Sequence, residues 1–220
     1  MKKLFVMIAL MLPMAVMAQE EKDATGVVPE GEKALRLAAE LSKYGYANDD
    51  ALSLIQAARI SKKAGFTLED KKKVEGDKGQ PGSKAGKKGQ VSVEPAKLLA
   101  DAKAKAGDDG VLLALIDDVN SNVRGAVGGP KYGESHVNAG SSDLYEVNFK
   151  AGESAMVIVV GDGDTDLDLY VYDNNGTLVA RDADYTDDCV VTFTPRRTGK
   201  FTVKIVNRGS VYNSYLIGTN

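Results

Sequence analysis

Tryptophan is absent, and cysteine and histidine occur once each, as Cys189 and His136. A lone cysteine allows no intrachain disulfide, so packing must hold the fold together. One histidine and one cysteine are also too few for a structural or catalytic zinc site, which draws most of its ligands from these two residue types. The chain has no Gly-x-Ser-x-Gly elbow, no phosphate-binding loop and no dinucleotide fingerprint. What remains for nucleophilic catalysis is a Cys189–His136 dyad. Cys189 alternates in phase with Val191 and Phe193, however, which places its thiol among core side chains, where it acts as a small hydrophobe. Paired carboxylates for glycoside hydrolysis are not excluded by counting, but an acidic strand without Trp or His nearby makes a poor sugar cleft.

Excess basic charge is missing too. Residues 19–130 carry 18 residues of each sign, and from Lys131 onward 8 Lys and Arg stand against 13 Asp and Glu, a net of −5. A neutral half followed by an acidic half argues against nucleic acid as the main partner. A long apolar run occurs only at the start, in "MKKLFVMIALMLPMAVMAQE". Lys2 and Lys3 form a basic n-region, Leu4 to Val16 an apolar h-region, and Val16-Met17-Ala18 a small-residue cleavage site. This reads as a secretory signal peptide over residues 1–18, cut before Gln19. The run is shorter than the roughly 20 residues that span a bilayer, so no transmembrane segment is expected in the mature protein. No cysteine follows the h-region, which argues against lipid attachment there. The expected location is outside the cytoplasm, periplasmic or secreted.

Residues 19–129 read as a helical region of about four short helices. Leu35, Ala38 and Leu41 share one helical face, which ends at "KYGYANDD". Asn48 or Asp49 then caps a second helix, with Leu52, Ile55 and Ala58 on its apolar face and Ile60 at the margin. Residues 71–90, "KKKVEGDKGQPGSKAGKKGQ", hold seven Lys and five Gly and almost nothing apolar, the composition of a disordered linker or long loop. Its spaced glycines suggest collagen, but Ala85 breaks the frame and the run is too short. Pro95 suits the first turn of a third helix reaching about Ala106. After "GDDG", Val111, Leu112, Leu115, Ile116 and Val119 give a fourth helix its apolar face.

From about Ser142 the period changes to two. Tyr145-Val147-Phe149, Leu167-Leu169-Val171, Cys189-Val191-Phe193 and Phe201-Val203-Ile205 alternate, "AMVIVV" at 155–160 is a continuous buried strand, and a last strand runs from Tyr212 to Ile217. With turn signals such as Asn175-Gly176 and Thr198-Gly199 between them, about seven short strands form the pattern of an antiparallel β-sandwich over residues 130–220. The segment "KYGESHVNAG" before them reads as a turn-rich join. The fold class expected is therefore α+β, helices first and sandwich second.

The stretches "SSDLYEVNFKAGESAMVIVVGDGDTDLDLYVYD" and "CVVTFTPRRTGKFTVKIVNRGSVYNSYLI" resemble the bacterial pre-peptidase C-terminal (PPC) domain over about 80 of the 220 residues. The shared features are an aromatic-x-Val-x-Phe strand, an Ala-Gly-Glu turn, a Gly-Asp…Asp-Leu-Asp-Leu-Tyr-Val strand and a Pro…Thr-Gly-aromatic-Thr-Val hairpin. The resemblance implies a β-sandwich attached to exported proteins, an accessory or binding module without an active site, and kinship with collagen-binding domains that use calcium. The helical half resembles no protease.

Nine aspartates lie between residues 162 and 188. Against an EF-hand loop, Asp162, Asp164 and Asp166 take positions one, three and five. Leu167 stands where glycine is required, and "DLYVYD" is a strand, so that loop fails. A hairpin reading leaves two registers. A three-residue Asn174-Asn175-Gly176 loop puts Asp168 opposite Asp182 and Asp166 opposite Asp184, and such crowding calls for a cation. A two-residue Asn175-Gly176 turn puts Tyr170 opposite Arg181 and eases it. With the first register, Asp164, Asp166, Asp168, Asp182 and Asp184 are the candidate ligands of a Ca²⁺ ion. Tyr170 and Tyr172 share the outward face of the same strand and are the candidate surface for a protein or glycan of the cell envelope or exterior, unless the helical half covers them. The reading is a non-enzymatic binding or scaffolding protein. Its alternative is an accessory module or hydrolase with a site between the halves, near His136 and the acidic residues.

Overall fold

A computed structural model describes residues 30–69, 73–74, 89–122 and 131–220. The signal-peptide reading of residues 1–18 lies outside these, as does most of the 71–90 segment. Among these residues there are four helices, α1 (Glu30–Ala47), α2 (Ala51–Ala64), α3 (Pro95–Ala106) and α4 (Gly110–Asn122), with two short strands between α2 and α3. Two details of the sequence reading change here. Helix α1 continues through "KYGYA", and the cap of α2 is Asp50, whose side chain accepts the Leu52 N–H, while Asp49 sits at φ 54. Leu52 is exposed; Leu54, Ile55 and Ala58 face Leu98, Ala102, Ile116 and Val119 of α3 and α4.

The described residues form ten strands, from both parts of the chain: β1 (Thr67–Leu68), β2 (Lys73–Val74), β3 (Lys131–Val137), β4 (Ser142–Phe149), β5 (Ala155–Gly161), β6 (Leu167–Tyr172), β7 (Leu178–Asp182), β8 (Asp188–Phe193), β9 (Gly199–Asn207) and β10 (Asn213–Thr219). They build two five-stranded sheets, in the orders β1-β3-β10-β5-β8 and β2-β4-β9-β6-β7. Strand β3 occupies the segment read as a turn-rich join, because Tyr132 and Val137 find buried places and all seven of its residues pair with β10. Strands β1 and β2 lie on the outer edges of β3 and β4, covering backbone groups that would otherwise be open to another chain.

The sandwich core holds Tyr145, Phe149, Val157, Val159, Leu167, Leu169, Val171, Val191, Phe201, Val203, Ile205 and Ile217. Burying each large apolar side chain contributes about 1.5–3 kcal/mol before entropy is charged against it. Strand β5 is buried throughout because both of its faces are covered. Val157 and Val159 face the second sheet, whereas Met156, Ile158 and Val160 meet Leu35, Ala38 and Ala39 of α1. Leu35 needs the gap left by Gly218 on β10, where an added Cβ would stand 2.5 Å from its Cδ2. The helical half therefore packs on the outer face of the first sheet. That placement decides what the second sheet can do.

Candidate functional site

The acidic loop between β5 and β6 is built around Asn213, which is fully buried at the start of β10. Its Nδ2 donates to Thr165 O at 2.9 Å, Thr165 Oγ1 at 3.1 Å and Asp187 Oδ2 at 3.3 Å, and its Oδ1 accepts the Asp162 N–H at 3.2 Å. Asp162 accepts the N–H groups of Ser214 at 2.7 Å and Asp164 at 3.2 Å. Asp187 Oδ2 also accepts the Gly163 N–H at 2.5 Å. These carboxylates take up backbone donors that a tight loop leaves without partners, and a charged acceptor does so more strongly than a neutral one.

Two cations offset part of the charge. Lys43 reaches from α1 to Asp187 Oδ1 at 3.0 Å and Asp188 Oδ1 at 3.1 Å, crossing the seam between the helical half and the sandwich. Burial works against its charge, but the two aspartates outweigh that and hold its pKa above the ordinary 10.5. Asp188 is pushed upward, by burial first, with Lys43 opposing. Arg208 Nε donates to Asp168 Oδ2 at 2.5 Å, and Tyr170 donates to the same oxygen at 2.9 Å.

The β6–β7 hairpin joins features of both expected registers. Its turn is the three-residue one: Asp173 N–H bonds Thr177 O at 2.9 Å, Gly176 N–H bonds Asp173 O at 3.0 Å, and Gly176 takes φ 78, where a side chain would be strained. A β-bulge then intervenes, with Tyr172 opposite Leu178 and Val171 opposite Ala180. The extra residue, Val179, advances β7 by one, so Leu169 faces Asp182 and Tyr170 faces Arg181. Asp168 thus does not face Asp182, and the expected crowding, with Asp166 against Asp184, is replaced by a pairing that separates the charges.

The five candidate calcium ligands are accordingly spread over different tasks. Asp164 Oδ1 accepts the Gly89 N–H at 3.0 Å, Asp182 Oδ2 accepts the Val190 N–H at 2.9 Å, Asp184 Oδ1 holds Thr186, and Asp168 holds Arg208 and Tyr170. Only Asp166 keeps a buried oxygen, Oδ1, without a hydrogen-bond partner among the described residues. Burial, then the charges of Asp168 and Asp184, raise its pKa. Among the described residues no group of three or more His, Cys, Asp or Glu is arranged to hold a metal ion. Chelation with EDTA is therefore expected to leave the thermal midpoint unchanged. A fall of several degrees, reversed by added Ca²⁺, would show that a folded-state calcium ion had been removed.

Cys189 and His136 lie on β8 and β3, separated by β5 and β10. Three interstrand spacings put them at least roughly 14 Å apart, so no dyad forms. The thiol is buried, donates to Leu167 O at 3.1 Å, and has its pKa raised by burial. A polar group that the sequence did not signal sits in the sandwich core. Tyr145 and Tyr215 are joined hydroxyl to hydroxyl at 2.6 Å, Tyr215 donates to Asp143 Oδ2 at 2.6 Å, and Lys73 of β2 pairs with that carboxylate at 2.7 Å. These buried polar atoms satisfy one another, as a low-dielectric interior requires.

Tyr170 and Tyr172 project from the outer face of the second sheet, away from the helices. Their rings stack at 6.4 Å with 23° between the planes. Register places Lys204 and Arg181 on either side of Tyr170, and Thr202 and Leu178 on either side of Tyr172. Both rings stay partly exposed, and Arg181 and Leu178 are exposed beside them. Among the described residues the helices lie on the other sheet and do not cover the tyrosines.

Solved structures similar to the sandwich include the Yersinia pseudotuberculosis-derived mitogen (13% identity, 40% of this chain and 82% of that one, TM-score 0.36), the pre-peptidase C-terminal domain of collagenase from Bacillus anthracis (10%, 41% and 89%, 0.34), and PliG, a periplasmic inhibitor of g-type lysozyme from Aeromonas hydrophila (16%, 41% and 86%, 0.32). No curated protein matches the chain. Residues 141–206, from the entry to β4 almost to the end of β9, match the family model of the bacterial pre-peptidase C-terminal domain, so the C-terminal part of this chain is a PPC-like β-sandwich.

Proposed function

We propose that this is an exported, non-enzymatic binding or scaffolding protein that grips a glycan or protein surface, in the periplasm or outside the cell, through the outer face of its second sheet. The observation that carries this reading is the asymmetry of the sandwich. Helix α1 covers Met156, Ile158 and Val160 on one sheet, while the other presents the stacked Tyr170 and Tyr172 flanked by basic side chains. Rigid aromatic rings with a polar tip give large contact area at small entropic cost, which suits a binding face. Export is supported by the n-region, h-region and cleavage pattern of residues 1–18, and by the match to a domain found in secreted bacterial proteins. The aspartates serve as the structural frame of the opposite end, with Lys43 already seated at the seam between the halves.

The test is the double variant Tyr170→Ser/Tyr172→Ser, assayed for retention on a cell-envelope fraction and for thermal stability. Stability is expected to stay within about 0.5 kcal/mol, since half-exposed face residues carry little of the core. Retention is expected to fall by roughly thirtyfold, the loss of about 2 kcal/mol typical of an aromatic anchor. Unchanged retention, or a large loss of stability with the binding per folded molecule intact, would assign the tyrosines to the fold instead.

A further inference from the structure

We propose that the end of the sandwich away from the acidic loop binds an acidic polysaccharide, with Arg196 and Arg197 holding its carboxylate or sulfate groups. This rests on the open-face reading above and specifies its ligand. A cleft of about 520 Å³ lies between the β6–β7 turn and the β8–β9 loop, and both arginines line it together with Lys200. Lys200 is paired with Glu146 at 2.9 Å. Arg196 and Arg197 are exposed, and among the described residues neither is paired with a carboxylate. Two neighbouring guanidinium groups with no paired carboxylate among the described residues stand out in a half of net charge −5, where Asp173 alone of the nine aspartates between residues 162 and 188 lines the cleft. Guanidinium forks match carboxylate and sulfate oxygens in paired hydrogen bonds, a fit that a lysine does not offer.

Both walls of the cleft are already fixed. Gly152 N–H bonds Pro195 O at 2.9 Å and Ala151 N–H bonds Thr198 Oγ1 at 2.9 Å, pinning the loop on each side of the arginines. Opposite, Asp173 Oδ1 accepts the N–H groups of Asn175 and Thr177, both at 2.9 Å, and those bonds lower its pKa. A cleft that keeps its shape loses little entropy on binding. Exposed amides of Asn174 and Asn175 and the apolar side chain of Leu178 offer a sugar ring both hydrogen bonds and a flat contact. Leu178 stands opposite Tyr172 in the sheet, so the tyrosine face runs directly into the cleft. The acidic far end repels a densely charged polyanion lying along the whole molecule, which favours a polymer entering from the basic end over nucleic acid.

The experiment measures binding of the full mature chain to polygalacturonate, dextran and polyglutamate. Each is repeated with Arg196→Gln/Arg197→Gln, with Tyr170→Ser/Tyr172→Ser, and with Lys33→Gln/Lys103→Gln as a charge-matched control on the helices. The expected result is binding to polygalacturonate that falls at least roughly tenfold in the arginine variant, with an unchanged thermal midpoint and little change in the control. Equal loss in the control would reduce the effect to general charge and overturn the site. Equal binding of polyglutamate would overturn the polysaccharide class. Binding of dextran that the arginine variant leaves intact would overturn the acidic ligand, yet keep the open-face reading if the tyrosine variant loses it. Binding of none of the three overturns the inference, and the envelope-retention assay then decides the open-face reading separately.

Discussion

Replacing Asn213 with alanine is expected to destabilise the protein by about 3 kcal/mol, a drop of roughly 6–12 °C in the midpoint of thermal unfolding. The side chain is fully buried and joins four groups from two loops: Asp162 N–H, Thr165 O and Thr165 Oγ1 of the β5–β6 loop and Asp187 Oδ2 of the β7–β8 loop. Alanine removes the partners of a buried amide and a buried carbonyl, and each group left without a partner costs about 1–3 kcal/mol. No water-filled alternative forms without opening the loop, because Asp162 and Asp187 are themselves held by Ser214 and Gly163. Asn213→Asp keeps the shape and the acceptor but sets a second carboxylate against Asp187, so its loss is expected to equal or exceed that of alanine. Thermal unfolding of the two variants measures both. A shift of a degree or less in each would mean that the loop folds without this side chain.

The second large effect is expected at Lys43. Lys43→Met keeps the aliphatic stem and removes the ammonium group, leaving Asp187 and Asp188 facing each other with little water. The Lys43 side chain is 20% exposed and its partners 10% and 25%. Removing one member of a buried pair costs about 3–5 kcal/mol, and this partial exposure discounts the figure to about 2–3 kcal/mol. Adding Asp188→Asn should recover part of the loss, since one of the two uncompensated charges is then gone. The pH dependence has a definite sign. The folded pKa of Lys43 is raised, so its contribution is fully present below its unfolded value, ordinarily 10.5, and is lost as pH rises through the folded value. The gap between wild type and Lys43→Met should therefore be constant across neutral pH and close in strong alkali. Denaturant unfolding at several pH values checks this. A gap that widened above the ordinary lysine pKa would contradict the ion pair.

The sequence made the periodic elements legible and the polar joints illegible. Alternation in Leu167-Leu169-Val171 and Phe201-Val203-Ile205 predicted which side chains enter the core, because a strand has only two faces. "AMVIVV" predicted a strand buried on both sides, though not that α1 supplies the second cover. The hairpin shows where pattern stops. Asn174-Asn175-Gly176 gave the turn, but Val179 carries no mark that it will bulge, and that one residue moved Asp182 from opposite Asp168 to opposite Leu169. Strand β3 was hidden because "KYGESHVNAG" is rich in turn formers, and its pairing with β10 rather than its own propensity makes it a strand. Asn213 and Lys43 were missed for a related reason. Each acts across 26 to 145 positions of sequence, and single residues at such distances leave no local signal. The dense aspartates suggested a cation, and three of them, Asp168, Asp187 and Asp188, pair with Arg208 or Lys43.

The sandwich thus divides its work: one sheet is covered by helices, one end is locked by aspartates, Lys43 and Arg208, and the tyrosine face is the one proposed for a partner. Tyrosine nitration read residue by residue, with and without a soluble cell-envelope polysaccharide extract, tests that division most directly. Tyr185 and Tyr44, 98% and 57% exposed and placed away from the face, serve as internal references. The account predicts that the extract protects Tyr170 and Tyr172 while Tyr185 and Tyr44 react as before. Protection of Tyr44 or Tyr185 with Tyr170 and Tyr172 unchanged would contradict it and move the binding surface to the helices or the acidic end.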